Sequence, residues 1–511
     1  MFSRQPHSAY QVSAWIMAIL TSVTIWWVGR FPFLDEAIFK GAGKHWAEGK
    51  GFICPELSGF LDLVPPVEEI FFLHVPIYPF LFGLLVKCFG FGWDQAVLFD
   101  AFIHGALIVC TFYLARQFRR FSEIELGICL PQWLDLLAPV AIIPLAQAGR
   151  PDELAMCFGF IGLTLLMNAR RSLSAIAISG ASYGLCAATS VGAAVVLGFF
   201  AFFFIFTGPA PFKRNLFDAV VWQVVALLVI ALAVSPILLN HPTALGQFLE
   251  HARLVTKGKS FMEFTTNGWV HARHRILPVG GFLVLAIIAL SLFRRSNLRR
   301  WYLSTWPGVV FGTAFIVALL PGEFLYFWFF TPWLFAASAV TIASLWTIHG
   351  RRLALTGLVI LTLFACPVFI WGALQWTCML TLPAEQRAAH NAKLIRKLVP
   401  EGATVLTDYY WSFLPGRFRT YNPTFSSIKN LDEIDFVLLS PIGGGGPGKY
   451  QYMRSVYEKL VAERFTPVFN NLPQKALTFG GVKLTNTTWG FGFILFSRKV
   501  PHRSDGIDPS F

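Results

Sequence analysis

The sequence predicts a polytopic α-helical membrane protein of about eleven spans, with interfacial helices in a long first outer loop and a small C-terminal α/β domain. Three observations carry that prediction. Hydrophobic residues make up 55% of the 511-residue chain and charged residues only 14%, with mean hydropathy +0.58. A soluble chain carries about 25% charged residues, so a soluble globular enzyme, a disordered chain and a fibrous one are excluded. Apolar runs of span length recur as far as residue 375, and Lys/Arg clusters stand at alternate ends of them. The net charge of +13 is therefore read as cytoplasmic-loop Lys/Arg, not as a nucleic-acid surface.

The first run, from Val12 to Val28, is long enough to span and no small-residue cleavage site follows it, so it reads as a transmembrane helix. Helices are expected at about 12–29, 95–115, 132–148, 154–168, 174–189, 190–207, 218–237, 276–293, 301–319, 325–347 and 353–375. With the N-terminus cytoplasmic, Arg116/Arg119/Arg120, Arg170/Arg171, Lys213/Arg214, Arg294/Arg295/Arg299/Arg300 and Arg351/Arg352 all fall on the inner side. The uncharged stretch 175–207 would make a helix of about 50 Å, against a bilayer core of about 30 Å. Two spans turning near Thr189-Ser190 keep Lys213 and Arg214 inside. Segments 30–94, 149–153, 238–275, 320–324 and everything after about 376 then lie outside.

In the first outer loop, Leu34, Ala37, Ile38, Ala42 and Trp46 recur at helical spacing around Asp35-Glu36, which predicts an amphipathic helix at the interface. Further on come Pro65-Pro66, Glu68-Glu69, His74, Pro76 and Tyr78-Pro79, then an apolar stretch to Phe89 that is short for a span and reads as a second interfacial or re-entrant helix. The second outer feature is Arg150-Pro151-Asp152-Glu153. Pro at the first helical position with acids in the first turn is ordinary helix-start chemistry. Carboxylates beside an Arg at the bilayer edge are also costly to keep near lipid, which marks a functional site.

In this order these features resemble the GT-C superfamily of polytopic glycosyltransferases: an N-terminal helix, an outer loop with Asp35-Glu36, a His74-Val75-Pro76-Ile77-Tyr78 element and the Arg150-x-Asp152 loop. The nearest branches are the protein O-mannosyltransferase-like and lipid A aminoarabinose transferase-like enzymes. The resemblance covers most of residues 1–380 and implies transfer of a sugar from a polyprenyl phosphate to an acceptor on the outer face, with inversion at C1. It implies that Asp35 is the catalytic carboxylate, Glu36 its neighbouring acid and Asp152 the second-loop Asp, with Arg150 beside it. His74 to Tyr78 stand where the family often shows Lys/His-Pro-Pro-Leu-Tyr, with Val75 replacing the first Pro. Glu323-Phe-Leu-Tyr326, before Pro332, resembles a late family element.

Such a transfer needs a base for the acceptor proton and cations for the charge that grows on the leaving phosphate. Asp35 is the expected base. Arg150 and His74 are expected at the phosphate, as are Arg253, Lys257, Arg273 and Arg275 from the loop 238–275, which is unusually basic for an outer loop. A solvated face or a headgroup contact explains that loop as well. Tyr78, Glu68, Glu69, Glu323 and Tyr326 are the expected substrate-binding residues. Asp35, Glu36 and Asp152 could hold a divalent ion through oxygen ligands, but the branches resembled look metal-independent and no cofactor is expected. The partners expected are the polyprenyl-phosphate sugar, the bilayer, and an acceptor that is a glycan, lipid or protein.

After residue 380 the apolar runs shorten and charges rise, which sets a boundary between 1–380 and 381–511. A helix at Asn391–Leu398, strands at Ala403–Thr407 and Ile434–Leu439, a helix at Tyr450–Arg464, and strands at Leu477–Leu484 and Phe491–Ser497 are expected. Gly443 to Lys449 follow a strand as a phosphate loop would, but Tyr450 replaces the Ser/Thr, and a turn is the simpler reading. A transporter or flippase of a lipid-linked sugar is the competing function. Transporters usually show internal repeats and mid-span charges, neither of which is evident here.

Overall fold

The computed structural model describes residues 8–28, 34–55, 63–143, 151–167, 172–256, 296–319, 336–343, 346, 352, 354–359, 362, 370, 373, 376–377, 380, 383–400, 402–407, 419–421, 432–439, 463–470, 478–479, 482–483 and 493–498. Helix α1 (Ser8–Val28) is followed by α2 (Leu34–Ala47), α3 (Ile77–Phe89) and the long α4 (Trp93–Leu126). A 3₁₀ turn at Gln132–Leu136 runs into α5 (Leu137–Ile142). Then come α6 (Pro151–Leu166), α7 (Leu173–Ala187), α8 (Val191–Phe206), α9 (Phe212–Asn240), α10 (Ala244–Thr256) and α11 (Ser296–Leu319). Among the described residues three helices are long and apolar enough to cross a membrane, at Ala9–Trp27, Asp94–Leu126 and Phe212–Asn240. The expected span at 276–293 lies outside the described residues, and those at 325–347 and 353–375 are described only in part, so a total of eleven is not reached.

The outward rows of these helices are apolar. Trp15, Ile19, Leu20, Val23 and Trp27 on α1, and Val220, Val224, Leu227, Leu228 and Leu232 on α9, are all exposed. Apolar surface of that extent is a liability in water and suits lipid. Inside the bundle, small residues let backbones close up. A Cβ on Gly180 of α7 would stand 2.5 Å from the Trp222 carbonyl oxygen of α9, and one on Gly184 would stand 2.6 Å from that of Ala226. This is the small-xxx-small seam by which helices associate where burial in lipid supplies no hydrophobic drive.

The division of 175–207 into two helices is as expected. Ser190 begins α8 by accepting a hydrogen bond from Ala193 N at 3.4 Å. The first outer loop differs from expectation. From Phe39 to His45 helix α2 is buried all the way round, not laid on a surface by one face. Its polar residue Lys40 is neutralised from inside the protein, which removes the reason for it to face water. Helix α3, with 13 residues, is about 20 Å long and too short to span, as expected.

Beyond the bundle, α12 (Ala388–Leu398) precedes a five-stranded sheet in the order β2-β1-β3-β7-β4. Strand β1 (Thr404–Thr407) pairs in parallel with β2 (Arg419–Tyr421) and β3 (Phe436–Leu439). Strand β7 (Ile494–Arg498) is antiparallel to β3 and to β4 (Phe465–Asn470). A separate hairpin joins β5 (Thr478–Phe479) and β6 (Val482–Lys483). The sequence reading places β1, β3 and β7 but omits β2 and β4, and most of its Tyr450–Arg464 helix lies outside the described residues. The α/β part shares a core with the bundle: Ile395, Val405, Leu438, Phe493 and Leu495 pack with Tyr78 and Phe82 of α3 and Phe99 of α4 in one buried cluster.

Candidate active site

The helices that carry Asp35, Tyr78 and Asp152 are joined by contacts that can be followed in order. Asp35 and Glu36 are the second and third residues of α2. One turn on, the fully buried Lys40 donates from Nζ to Asp100 Oδ2 of α4 at 2.7 Å and to the Ala96 carbonyl at 2.9 Å. The Tyr78 hydroxyl of α3 donates to the other oxygen, Asp100 Oδ1, at 3.1 Å. A buried ammonium and carboxylate are tolerable only when both are paired and hydrogen-bonded, and that condition is met here.

One turn further along α4, buried His104 places Nδ1 3.1 Å from Glu153 Oε2, at the start of α6. Its neighbour Asp152 turns about 100° away around the helix and accepts from Ser190 Oγ at 2.9 Å, in the turn between α7 and α8. That same turn receives the start of α3, where Ile77 N donates to the Ala188 carbonyl at 3.2 Å. Phe39 of α2 packs its ring on Tyr78 at 5.7 Å and on His74 at 4.6 Å, and His74 packs on His251 of α10 at 5.3 Å. Helix α10 is tied to the first loop through one buried side chain. Gln247 donates to the Pro65 and Ile70 carbonyls at 2.6 and 2.8 Å and accepts from Phe72 N at 2.7 Å.

The expected site residues that the structure describes can be set against this frame. Asp152 and His74 fall within it. Tyr78, expected at the substrate, is fully buried and spends its hydroxyl on Asp100, so it shapes the wall instead of presenting a polar group to a ligand. Glu69 is exposed, while Glu68 buries Oε2 without a hydrogen-bond partner among the described residues. Arg253, expected at the donor phosphate, is exposed and pairs with Glu250 on its own helix at 3.2 Å. Arg150, Lys257, Arg273, Arg275, Glu323 and Tyr326 lie outside the described residues. Among the described residues no group of three or more His, Cys, Asp or Glu is arranged to hold a metal ion.

Lys40, Asp100, His104 and Gln247 are absent from the sequence reading, and Ser190 enters it only as a turn between two spans. The signal available for two of them is Asp100-x-x-x-His104, an ionisable pair on one helix face inside an apolar run.

No protein-family model matches the chain, and no curated protein matches it either. Among solved structures the chain is similar to the crystal structure of ArnT from Cupriavidus metallidurans bound to undecaprenyl phosphate. The identity is 13% and the TM-score 0.48, over 96% of this chain and 98% of that one. It is also similar to cryo-EM structures of the arabinofuranosyltransferase AftD from mycobacteria, at 13% identity and TM-score 0.46, and for a mutant at 14% and 0.43. The chain covers 96–97% of its own length in those two matches, but spans only 40–42% of the AftD chains.

Proposed function

We propose that this protein is a membrane glycosyltransferase of the GT-C type, moving a sugar from a polyprenyl-phosphate donor to an acceptor on the outer face of a bacterial inner membrane. The observation that supports the reading is that two helices opening on acids, from separate outer segments, are both tied to α4, α2 through Lys40 to Asp100 and α6 through Glu153 to His104. Asp35 and Glu36 open α2, Asp152 and Glu153 open α6, and Lys40, Asp100 and Tyr78 link α2 to the rest. In this reading the N-terminus is cytoplasmic, residues 381–511 form an extracytoplasmic α/β domain, and C1 of the sugar inverts.

The chemistry follows from charge. As the acceptor's oxygen or nitrogen bonds to C1, the bond from C1 to the phosphate oxygen breaks and its electron pair leaves with the phosphate. Asp35 takes the acceptor proton. Cations from the outer loops, Arg150 and the basic segment after α10 among them, offset the charge on the departing phosphate. Asp152, held by Ser190, orients the acceptor or the sugar.

The test is transfer of radiolabelled sugar in membranes supplied with polyprenyl-phosphate sugars. Wild type, Asp35→Asn and Asp152→Asn are compared at equal expression. Transfer by wild type with a loss of about 100-fold or more in Asp35→Asn is expected. Unchanged transfer in both variants, or an in vivo phenotype that survives both, overturns the assignment.

A further inference from the structure

Two of the helices long and apolar enough to span set the level of the bilayer surface. Helices α1 and α4 run antiparallel: Gln11 donates to the Tyr113 hydroxyl and Ser22 to the Ala101 carbonyl, both at 2.8 Å. The last turn of α1 is therefore level with the first turns of α4. Trp26 and Trp27 are exposed there. Exposed Trp at the end of an apolar span marks the boundary between hydrocarbon and headgroups.

Helix α12 is held at that level by both spans. Arg387, just before its first residue, places its guanidinium 5.1 Å over the Trp27 ring. Further along, Lys393 and Arg396 line a cavity of about 170 Å³ together with Phe91, Gly92, Asp94 and Gln95, where α3 gives way to α4. The helix buries Ala392 and Ile395 in the core shared with α3 and α4 and leaves Lys393, Arg396 and Lys397 exposed. Its 11 residues include no acid.

Charge and position together say what fits the cavity. Among the described residues Lys393 and Arg396 make no hydrogen bond or ion pair, with Asp94 or any other group. The lining holds these two cations against the single carboxylate of Asp94. That excess of one positive charge matches a singly charged phosphodiester, which Arg meets as a fork and Lys as a point charge. Asp94 also heads a row along α4 in which Leu98 and Phe102 follow at one-turn spacing, 45% and 72% exposed. In a spanning helix such a row faces acyl chains. A lipid lying along it has its phosphate at the height of Lys393 and Arg396, whereas a free anion makes no use of the row.

We propose that this cavity binds an anionic membrane phospholipid, with Lys393 and Arg396 on its phosphate and Leu98 and Phe102 beside an acyl chain. The lipid touches both α4 and α12, so it clamps the C-terminal part onto the bundle. Bound to the folded protein alone, it raises the unfolding temperature.

The experiment follows thermal unfolding of the full-length protein in detergent, washed of native lipid. Phosphatidylglycerol, phosphatidylcholine or inorganic phosphate is added in turn. Phosphatidylglycerol should raise the unfolding temperature of wild type saturably, and the other two should not. Lys393→Gln with Arg396→Gln should weaken the apparent affinity for phosphatidylglycerol about 25-fold, from about 5-fold per interfacial cation. Leu98→Ser should weaken it with no change of charge. Lys397→Gln, which removes the same charge from α12 away from the cavity, should leave it within about twofold of wild type. Equal shifts from phosphatidylglycerol and phosphatidylcholine overturn the inference, as does a double variant with wild-type affinity. A loss in Lys397→Gln equal to that in Lys393→Gln marks diffuse attraction to a basic helix and overturns the site. Inorganic phosphate that reproduces the shift overturns the lipid as its occupant. If the double variant does not fold, Lys393→Gln and Arg396→Gln are measured singly against the same outcomes.

Discussion

The two ends of the helix bundle handle buried charge differently. At one end Arg119 of α4 forms a two-pronged pair with Asp135, through Nε to Oδ1 at 2.7 Å and Nη2 to Oδ2 at 3.1 Å, and gives Nη1 to Glu123 at 2.9 Å. Glu123 also accepts from Leu130 N, while nearby Trp301 donates to Ser122 and Thr207 meets Ser304. Fifteen residues earlier on the same helix, about 22 Å away, His104 faces Glu153 with one nitrogen left over. The first arrangement is closed and ties the 3₁₀ turn at Gln132–Leu136 to α4. The second leaves spare hydrogen-bonding capacity on the far nitrogen of the His104 ring. A buried polar group whose bonds are complete is explained by the fold, and one that is incomplete needs a further explanation.

The largest expected effect separates the ends directly. Arg119→Ala strands two carboxylates and should cost about 3–5 kcal/mol, read as a lower unfolding temperature in detergent. Replacing the pair together, Arg119→Met with Asp135→Leu, should recover most of that loss and leave transfer intact. The matching exchange at the other end, Lys40→Met with Asp100→Leu, should recover the fold without recovering transfer. Equal recovery of activity at both ends would erase the distinction.

A middle-sized effect is expected at Ser190, which serves the fold and the site at once. Ser190→Ala removes the α8 cap and the Asp152 bond, for about 1–2 kcal/mol. Transfer should fall by more than that loss of stability explains, and Ser190→Thr should restore both. Activity that tracks stability alone would reduce Asp152 to a helix-start residue.

The smallest effect lies on the rim, where charge meets water. Burial raises the Glu48 carboxyl, but the Lys50 hydrogen bond at 2.7 Å and the charges of Lys44, Lys50 and His45 outweigh it and hold the group below its ordinary value. A carboxylate with a depressed folded value adds stability above its unfolded value and loses it as pH falls through the folded one. Wild type should therefore exceed Glu48→Gln slightly at neutral pH, by less than about 1 kcal/mol, and the gap should close in acid. A gap that persists at low pH would assign the difference to packing.

Much of the frame was legible in the sequence, and the reasons it stops are specific. Hydropathy and the Lys/Arg pattern placed α1 and α4 and split α7 from α8, because each depends on a local run of residues. The His104–Glu153 contact joins positions 49 apart and leaves no local mark. Lys40 made α2 look like an interfacial helix because its partner, Asp100, is 60 residues away. In the C-terminal part, β1, β3 and β7 are apolar enough to read. Strand β2 has three residues, and β4 carries Pro467 on the edge of the sheet beside a register shift, which breaks the strand pattern.

The core shared between α3, α4 and the C-terminal sheet has a consequence in time. Phe82 of α3 is made roughly 400 residues before Phe493, which packs in the same cluster. At about 5–20 residues per second, the ribosome leaves that cluster open for about 20–80 s. Throughout that interval the nascent chain displays an unfinished apolar face at the end of the bundle that carries the acids. Insertion and quality control thus meet a half-built surface, and the last hundred residues act as the seal on work begun near the first hundred.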